Sequence, residues 1–378
     1  MFIGRDQSRF EFQETLRSLN SAARGHQVAT MDLNLGTRGK ETGLIKILLS
    51  SETSERLHRD IGHVLAGQPY RIVAPHTVGA GLADIAFVSR DVTGGSSKTQ
   101  LERTTLEFYE ALRASPRLAW VHTHSAGADR PIFPELLQRG VRVTTSSGAT
   151  APIVAQTALG AVLALARRFP RLAEAQREHA WRPLLADPPA PLAGQTAVVV
   201  GYGPIGQRLV HLLEALDMEV IVVRREAVTS NAIAFGDLDL VMPRCDWLIL
   251  ACPLTSLTCR LIDARRLALL PGGAHVINVS RGEVLVEADL IAAIKQDRLA
   301  GAYLDVFERE PLDAASPLWD LPNVMVSPHS AGHSSGNAAA VDRIWLDNLA
   351  RWTTGKHLKN EITPAADLSA IATEIQTQ

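Results

Sequence analysis

The sequence predicts an α/β protein made of two doubly wound parallel sheets with a cleft between them. Three observations lead there. Apolar runs of strand length alternate with segments of helical periodicity in two successive series, which calls for parallel pairing through crossover connections. The chain has 378 residues, more than one ordinary domain needs and enough for two. Hydrophobic residues make up 46% of it, sufficient for packed cores and too many for extended disorder.

The first series begins at residue 44. Residues 44–49 read as a strand. Thr53 or Ser54 then caps a helix that sets Leu57, Ile61, Val64 and Leu65 on one face. Strands follow at 70–73 and 83–88, a helix at 101–114, and strands at 118–121 and 141–144. A long helix covers 150–168, with Thr150 at the cap and Pro152 in the first turn, where a missing N–H costs little. Asp187-Pro-Pro-Ala-Pro-Leu192 is a stiff, extended loop. The second series has strands at 197–200, 220–223, 247–251, 274–279, 301–306 and 324–327. Val341, Trp345, Asn348 and Trp352 fall at helical spacing, so a terminal helix buries tryptophan. Residues 1–43 form an extension whose polar end, 34–43, is a linker.

Several function classes are excluded. The net charge is −2 with no long run of one sign, which offers no surface for nucleic acid or anionic membrane. No apolar stretch reaches the ~18 residues of a membrane span. The N-terminus lacks a secretory layout, and Glu11 and Glu14 oppose a transit peptide. Cys245, Cys252 and Cys259 suit neither a disulfide framework nor zinc, and fit a reducing cytoplasm. His122-Thr-His124 has no third ligand nearby, so no metal is expected.

The clearest motif is Gly201-Tyr202-Gly203-Pro204-Ile205-Gly206, directly after an apolar strand and before a helix. Gly201 permits a tight turn, Gly203 lets a pyrophosphate approach the backbone, and Gly206 lets the helix lie close on the strand. The N–H groups and positive helix end favour phosphate. The following strand ends in Arg224-Arg225, where an acidic residue would hold the ribose hydroxyls of NAD. Arginines pair with a 2′-phosphate instead, so NADP is preferred. Glu226 keeps NAD as the alternative.

Three further segments each stand just past a strand: Asn278-Val-Ser-Arg281-Gly282, Asp305-Val-Phe-Glu-Arg-Glu310-Pro311-Leu312 and Ser327-Pro328-His329-Ser-Ala-Gly332. Taken together and in this order, they make the chain from about residue 44 onward resemble the D-isomer-specific 2-hydroxyacid dehydrogenases. The resemblance implies a catalytic triad of Arg281, Glu310 and His329. It puts Cys252, Pro253, Thr258, Val279, Ser280, Asp305 and Gly332 along the cofactor, beside the glycine loop. It gives Ser125, Ala126 and Gly127 the task of holding the substrate carboxylate through backbone N–H groups.

The chemistry fits the residue types. Arg281, a permanently charged fork, would bind the carboxylate and stabilise charge growing on the ketone oxygen. His329 would give the proton in reduction and take it in oxidation. Glu310 would orient the imidazole and stabilise its cation.

The resemblance also implies a flavodoxin-like substrate domain of residues 44–148 and 331–378, with a Rossmann NAD(P)-binding domain, 149–330, inserted. It implies a homodimer formed through the long helix. The preferred activity is NADPH-dependent reduction of glyoxylate or hydroxypyruvate. The alternatives are phosphonate- or phosphoglycerate-type dehydrogenases of the same family, or a nucleotide-sensing regulator similar to the C-terminal-binding corepressors. Two positions depart from the family: Ala155-Gln156 stands where Ala-Glu is usual, and Ser146-Ser-Gly where Asn or Thr-Pro is common.

Overall fold

Buried strands alternating with amphipathic helices build two parallel sheets in the structure, a computed structural model that describes residues 43–76, 83–96, 100–225 and 232–362. The extension proposed for residues 1–43 lies, except for Gly43, outside the described residues.

The first sheet follows the chain as β1 (Ile45–Leu48), α1 (Ser51–Val64), β2 (Tyr70–Val73), β3 (Ile85–Val88), α2 (Arg90–Thr93), α3 (Arg103–Arg113), β4 (Trp120–Thr123), α4 (Ile132–Gln138) and β5 (Arg142–Thr145). Its strands lie in the order β2-β1-β3-β4-β5, all parallel, which is the flavodoxin-like order. β3 and β4 are buried at every position, as interior strands with both faces covered must be.

Two local expectations are corrected. The cap of α1 is Ser50, whose Oγ accepts the Thr53 N–H at 3.1 Å. Thr53 is itself buried inside the first turn, its hydroxyl donating to Asp91. The long helix ends earlier than expected, as α5 (Ala151–Ala166). Arg168 then takes a left-handed φ of 56°, and α6 (Phe169–Arg177) sets off as a separate helix.

The second sheet comprises β6 (Thr196–Val200), α7 (Pro204–Glu214), β7 (Glu219–Arg224), β8 (Ala232–Ala234), β9 (Trp247–Leu250), α8 (Ala264–Leu267), β10 (Ala274–Asn278), α9 (Glu287–Lys295), β11 (Leu299–Leu304) and β12 (Val324–Val326). The order β12-β11-β10-β9-β6-β7-β8 is that of a Rossmann sheet, extended by one strand. The three-residue β8 and the seven-residue α4 are too short for a periodicity to announce them. α5 lays Val154, Ala158, Val162 and Leu165 against this sheet.

α10 (Asn337–Thr353) returns to the first sheet. Its Trp345, fully buried, stacks on Phe87 of β3 at 5.3 Å between ring centroids and packs with Ile47, Leu49 and Leu57. Truncating such a side chain to alanine costs about 3–5 kcal/mol. Beyond α10, Glu361 pairs with Arg142 of β5 through both carboxylate oxygens, at 2.6 and 2.7 Å.

Candidate active site

The functional loops lie where parallel strands end. β6 runs into Gly201, whose φ of 106° is open only to glycine. A Cβ there would stand 2.5 Å from the Ala251 carbonyl oxygen, and one on Gly206 only 2.0 Å from the carbonyl oxygen of Gly201. Gly203 is the opposite case, with no atom within 4 Å of where its Cβ would be. The chain is therefore tight where helix meets strand and open where a phosphate would rest. Pro204 is the first residue of α7, and Ile205 leans onto the core behind it.

A pocket beside the loop is lined by Tyr202, Arg224, Arg225, Phe235, Cys252 and Pro253. The Arg224 guanidinium carbon lies 5.9 Å from the centre of the Tyr202 ring. Arg224 and Arg225 thus stand at the end of β7, where an adenosine ribose would be read. Glu226 lies outside the described residues. The Cys252 thiol is buried, which pushes its pKa up to about 12 and keeps it neutral. Thr258 shapes the loop from within: its Oγ1 donates to the Pro253 carbonyl at 2.7 Å and accepts the Thr255 N–H at 2.8 Å. These residues fit a dinucleotide with its pyrophosphate on the α7 N-terminus.

Past β10, Asn278 folds the next turn onto itself. Its Oδ1 accepts from the Ser280 N–H and hydroxyl at 3.0 and 2.8 Å, and its Nδ2 donates to the Arg281 carbonyl at 3.1 Å. Val279 and Ser280 are consequently buried within the turn, the Val279 N–H donating to the Leu250 carbonyl at 3.2 Å. Arg281 reaches out of the turn. Its Nε donates to Asp129 Oδ2 at 2.7 Å and its Nη1 to the Ser280 carbonyl at 2.8 Å. A Cβ on Gly127 would come within 2.5 Å of Arg281 Nη2, so that arm of the fork lies against the loop after β4. Burial works against the guanidinium charge, but the carboxylates around it, Asp129 first and then Glu283 and Glu310, more than compensate and its pKa is raised.

The loop after β4 is shaped by Ser125, whose hydroxyl donates to the Gly127 carbonyl at 2.6 Å. The N–H groups of Ala126 and Gly127 find no acceptor among the described residues. They stand available for a carboxylate. Behind this loop, His122 is fully buried. Its Nε2 donates to Ser146 Oγ at 2.9 Å, and its Nδ1 accepts from Thr144 Oγ1 at 2.7 Å, the tautomer that leaves every group in the network satisfied. Burial, with His124 adding to it, pushes its pKa down to about 3. His124 bonds Thr93 Oγ1 at 2.9 Å. Both histidines are neutral supports of the loop.

The third group forms past β11 and β12. Glu310 accepts the Phe307 N–H through Oε1 at 3.2 Å and meets His329 Nδ1 through Oε2 at 2.8 Å. His329 has a left-handed φ of 50°. Its N–H donates to the Asp305 carbonyl at 2.8 Å, while Asp305 Oδ1 accepts the Ser330 and Ala331 N–H groups at 2.7 and 2.9 Å. Gly332 closes against α5, where a Cβ would lie 3.3 Å from Val154 Cγ2. Thr157 of α5 donates to the Ala331 carbonyl at 2.9 Å. Asp129 as the partner of Arg281, and Thr157 as a support of the His329 loop, carry no signal in the sequence. Side-chain pairs between distant loops leave no local periodicity.

A glycine loop at a Rossmann strand end, an arginine facing a loop with open backbone N–H groups and a paired histidine–glutamate fit an oxidoreductase that works with a dinucleotide. The comparisons agree. Residues 159–331 match the model of the D-isomer specific 2-hydroxyacid dehydrogenase NAD-binding domain. Glyoxylate reductase of Thermofilum pendens is 34% identical over 68% of this chain and 76% of its own length. Glyoxylate/hydroxypyruvate reductase B of Yersinia enterocolitica is 33% identical over 67% and 80% respectively. The crystal structure of a D-isomer specific 2-hydroxyacid dehydrogenase from Xanthobacter autotrophicus, in complex with NADPH and MES, superposes with a TM-score of 0.67 at 28% identity, over 85% of this chain and 99% of that one. The chain belongs to the D-isomer specific 2-hydroxyacid dehydrogenase family and is an NAD(P)-dependent dehydrogenase. Among the described residues no helix is long and apolar enough to cross a membrane, and no cluster of side chains could hold a metal.

Proposed function

We propose that the protein reduces glyoxylate or hydroxypyruvate with NADPH. The observation that carries this reading is the meeting of Arg281 with the loop of Ser125, Ala126 and Gly127, which gives one carboxylate both a guanidinium and backbone donors. Arg224 and Arg225 at the end of β7 support NADP over NAD. Bound there, the cofactor would supply the hydride. Arg281 would hold the substrate carboxylate and stabilise charge on the ketone oxygen. His329, oriented through Nδ1 by Glu310, would deliver the proton from Nε2 to that oxygen.

We take residues 44–148 with 331–378 as the substrate domain and 149–330 as the NAD(P)-binding domain. The working unit in this reading is a homodimer. Trp181 is 97% and Leu185 83% exposed, and Phe169 is 56% exposed, in the segment just after α5; a second copy would cover them. Light scattering of the purified protein would read the oligomeric state, and a monomer would remove the dimer.

Steady-state rates with NADPH and NADH over a panel of 2-keto acids test the reaction. Turnover of glyoxylate or hydroxypyruvate with a higher kcat/KM for NADPH is the expected result. No turnover of any keto acid with either cofactor would overturn it.

A further inference from the structure

The loop that carries His329 is wound around one carboxylate. Asp305 stands just past β11, and four hydrogen bonds join it to residues 327–331. Its carbonyl takes the His329 N–H at 2.8 Å. Its Oδ1 alone takes the other three, from Ser330 N at 2.7 Å, Ala331 N at 2.9 Å and Ser327 Oγ at 2.5 Å. Ser327 is in turn 2.7 Å from the hydroxyl of Tyr303, a buried residue of β11. The direction of these bonds follows from chemistry. An ionised carboxylate only accepts, so Ser327 spends its hydrogen on Asp305, and Tyr303 must donate to Ser327.

We infer that Tyr303 and Ser327 are positioning residues for His329: their hydroxyls form a one-way relay that holds Oδ1 of Asp305 as the hub of the 327–331 loop. This rests on His329 as the proton donor proposed above. Burial pushes the Asp305 pKa up, and the hydrogen bonds from Ser327, Ser330 and Ala331 oppose that push. A protonated Asp305 would be a poorer acceptor for two backbone N–H groups, and the turn that aims the imidazole would loosen. The relay therefore serves geometry and charge together. A charge-assisted O–H···O bond of this length belongs to the stronger class of hydrogen bonds.

Ser327→Ala, Ser327→Thr and Tyr303→Phe test it, all measured in the full-length protein. Ser327→Ala is expected to lower kcat at least about tenfold. The acid limb of the kcat–pH profile should move to higher pH, because Asp305 keeps its proton longer. Ser327→Thr keeps the hydroxyl and should restore both. Tyr303→Phe should move both in the same direction by a smaller factor. Amide hydrogen exchange at Ser330 and Ala331 reports the loop directly, whether or not a keto acid is turned over. It should quicken at least about tenfold in Ser327→Ala. If the parent enzyme turns over no keto acid, the proposed reaction fails while the exchange rates still judge the relay. Unchanged exchange in Ser327→Ala would overturn the relay. So would a lowered kcat with the parent pH profile, or a threonine variant that behaves like alanine.

Discussion

Arg281 and Asp129 stand 152 positions apart in the chain and meet as an ion pair, Nε donating to Oδ2 at 2.7 Å. One extends from the end of β10 and the other from the loop after β4, so the pair ties a loop of each sheet to the other. Removing the carboxylate leaves a largely buried guanidinium without that anchor. A charge-assisted hydrogen bond is worth about 1.5–3 kcal/mol, so Asp129→Ala should lower kcat/KM for a keto acid by about 10- to 100-fold. Asp129→Asn retains an acceptor for Nε and should recover most of the loss. Steady-state kinetics of the two variants decide this, and equal activity in both would contradict the anchoring role.

The His329–Glu310 contact predicts a separation of binding from chemistry. His329→Ala should cut kcat by roughly 10²–10⁴-fold, the usual worth of a positioned acid–base group. NADPH binding, followed by fluorescence titration, should be nearly unaffected. Glu310→Gln keeps the shape and loses the charge, so an intermediate fall is expected. Full turnover in His329→Ala would remove His329 from the mechanism.

Cofactor choice should reside in the arginines past β7. Replacing Arg224 and Arg225 together by alanine should raise the KM for NADPH by about 100-fold, the scale of two lost charge-assisted contacts. The KM for NADH should hardly change. A parallel loss with both cofactors would mean that the arginines do not read the 2′-phosphate.

Gly282 allows the Arg281 turn to lie on the segment leading to Glu310. A Cβ there would stand 1.8 Å from the carbonyl carbon of Phe307, a clash with backbone that no rotamer relieves. Gly282→Ala should destabilise the fold by about 1–3 kcal/mol or more. Urea titration measures this, and activity should fall with it as Arg281 and Glu310 are driven apart.

Acid should weaken the fold through His122. Its pKa in the unfolded chain is near 6.5 and in the folded protein about 3. Above the first value neither state carries the proton. As pH falls below it, the unfolded chain gains a proton and the folded one does not. Stability then drops by about 1.4 kcal/mol per pH unit until the folded value is reached. Between pH 7 and 5 the parent should lose about 2 kcal/mol more than His122→Asn. Equal losses would show that His122 is not held neutral.

The fold was legible because interior parallel strands are mostly apolar, and β3, β4 and β6 are buried at every position. The glycine loop was legible because strand, turn and helix constraints fall within six consecutive residues. What escaped depends on contacts between distant segments. Ser50 rather than Thr53 caps α1 because Thr53 is committed to Asp91, 38 residues away. The partner of Arg281 is fixed by where two sheets place their loops. Many strand ends lie one or two positions from the expected ones, and β4 runs on to include His122 and Thr123, which brace the loop of residues 125–127.

The seat of Trp345 against Phe87 has a consequence for the order of synthesis. On the ribosome β1 to β5 and α1 emerge early, yet the cluster that holds Ile47, Leu49, Phe87 and Trp120 with Leu57 and Ile61 of α1 is completed only when Trp345 and Leu349 of α10 appear. At ordinary elongation rates the roughly 200 intervening residues take about 10–40 s to make. The nucleotide sheet can close during that interval, while the older half of the chain waits with part of its greasy face uncovered, the stage at which chaperone capture or aggregation would act.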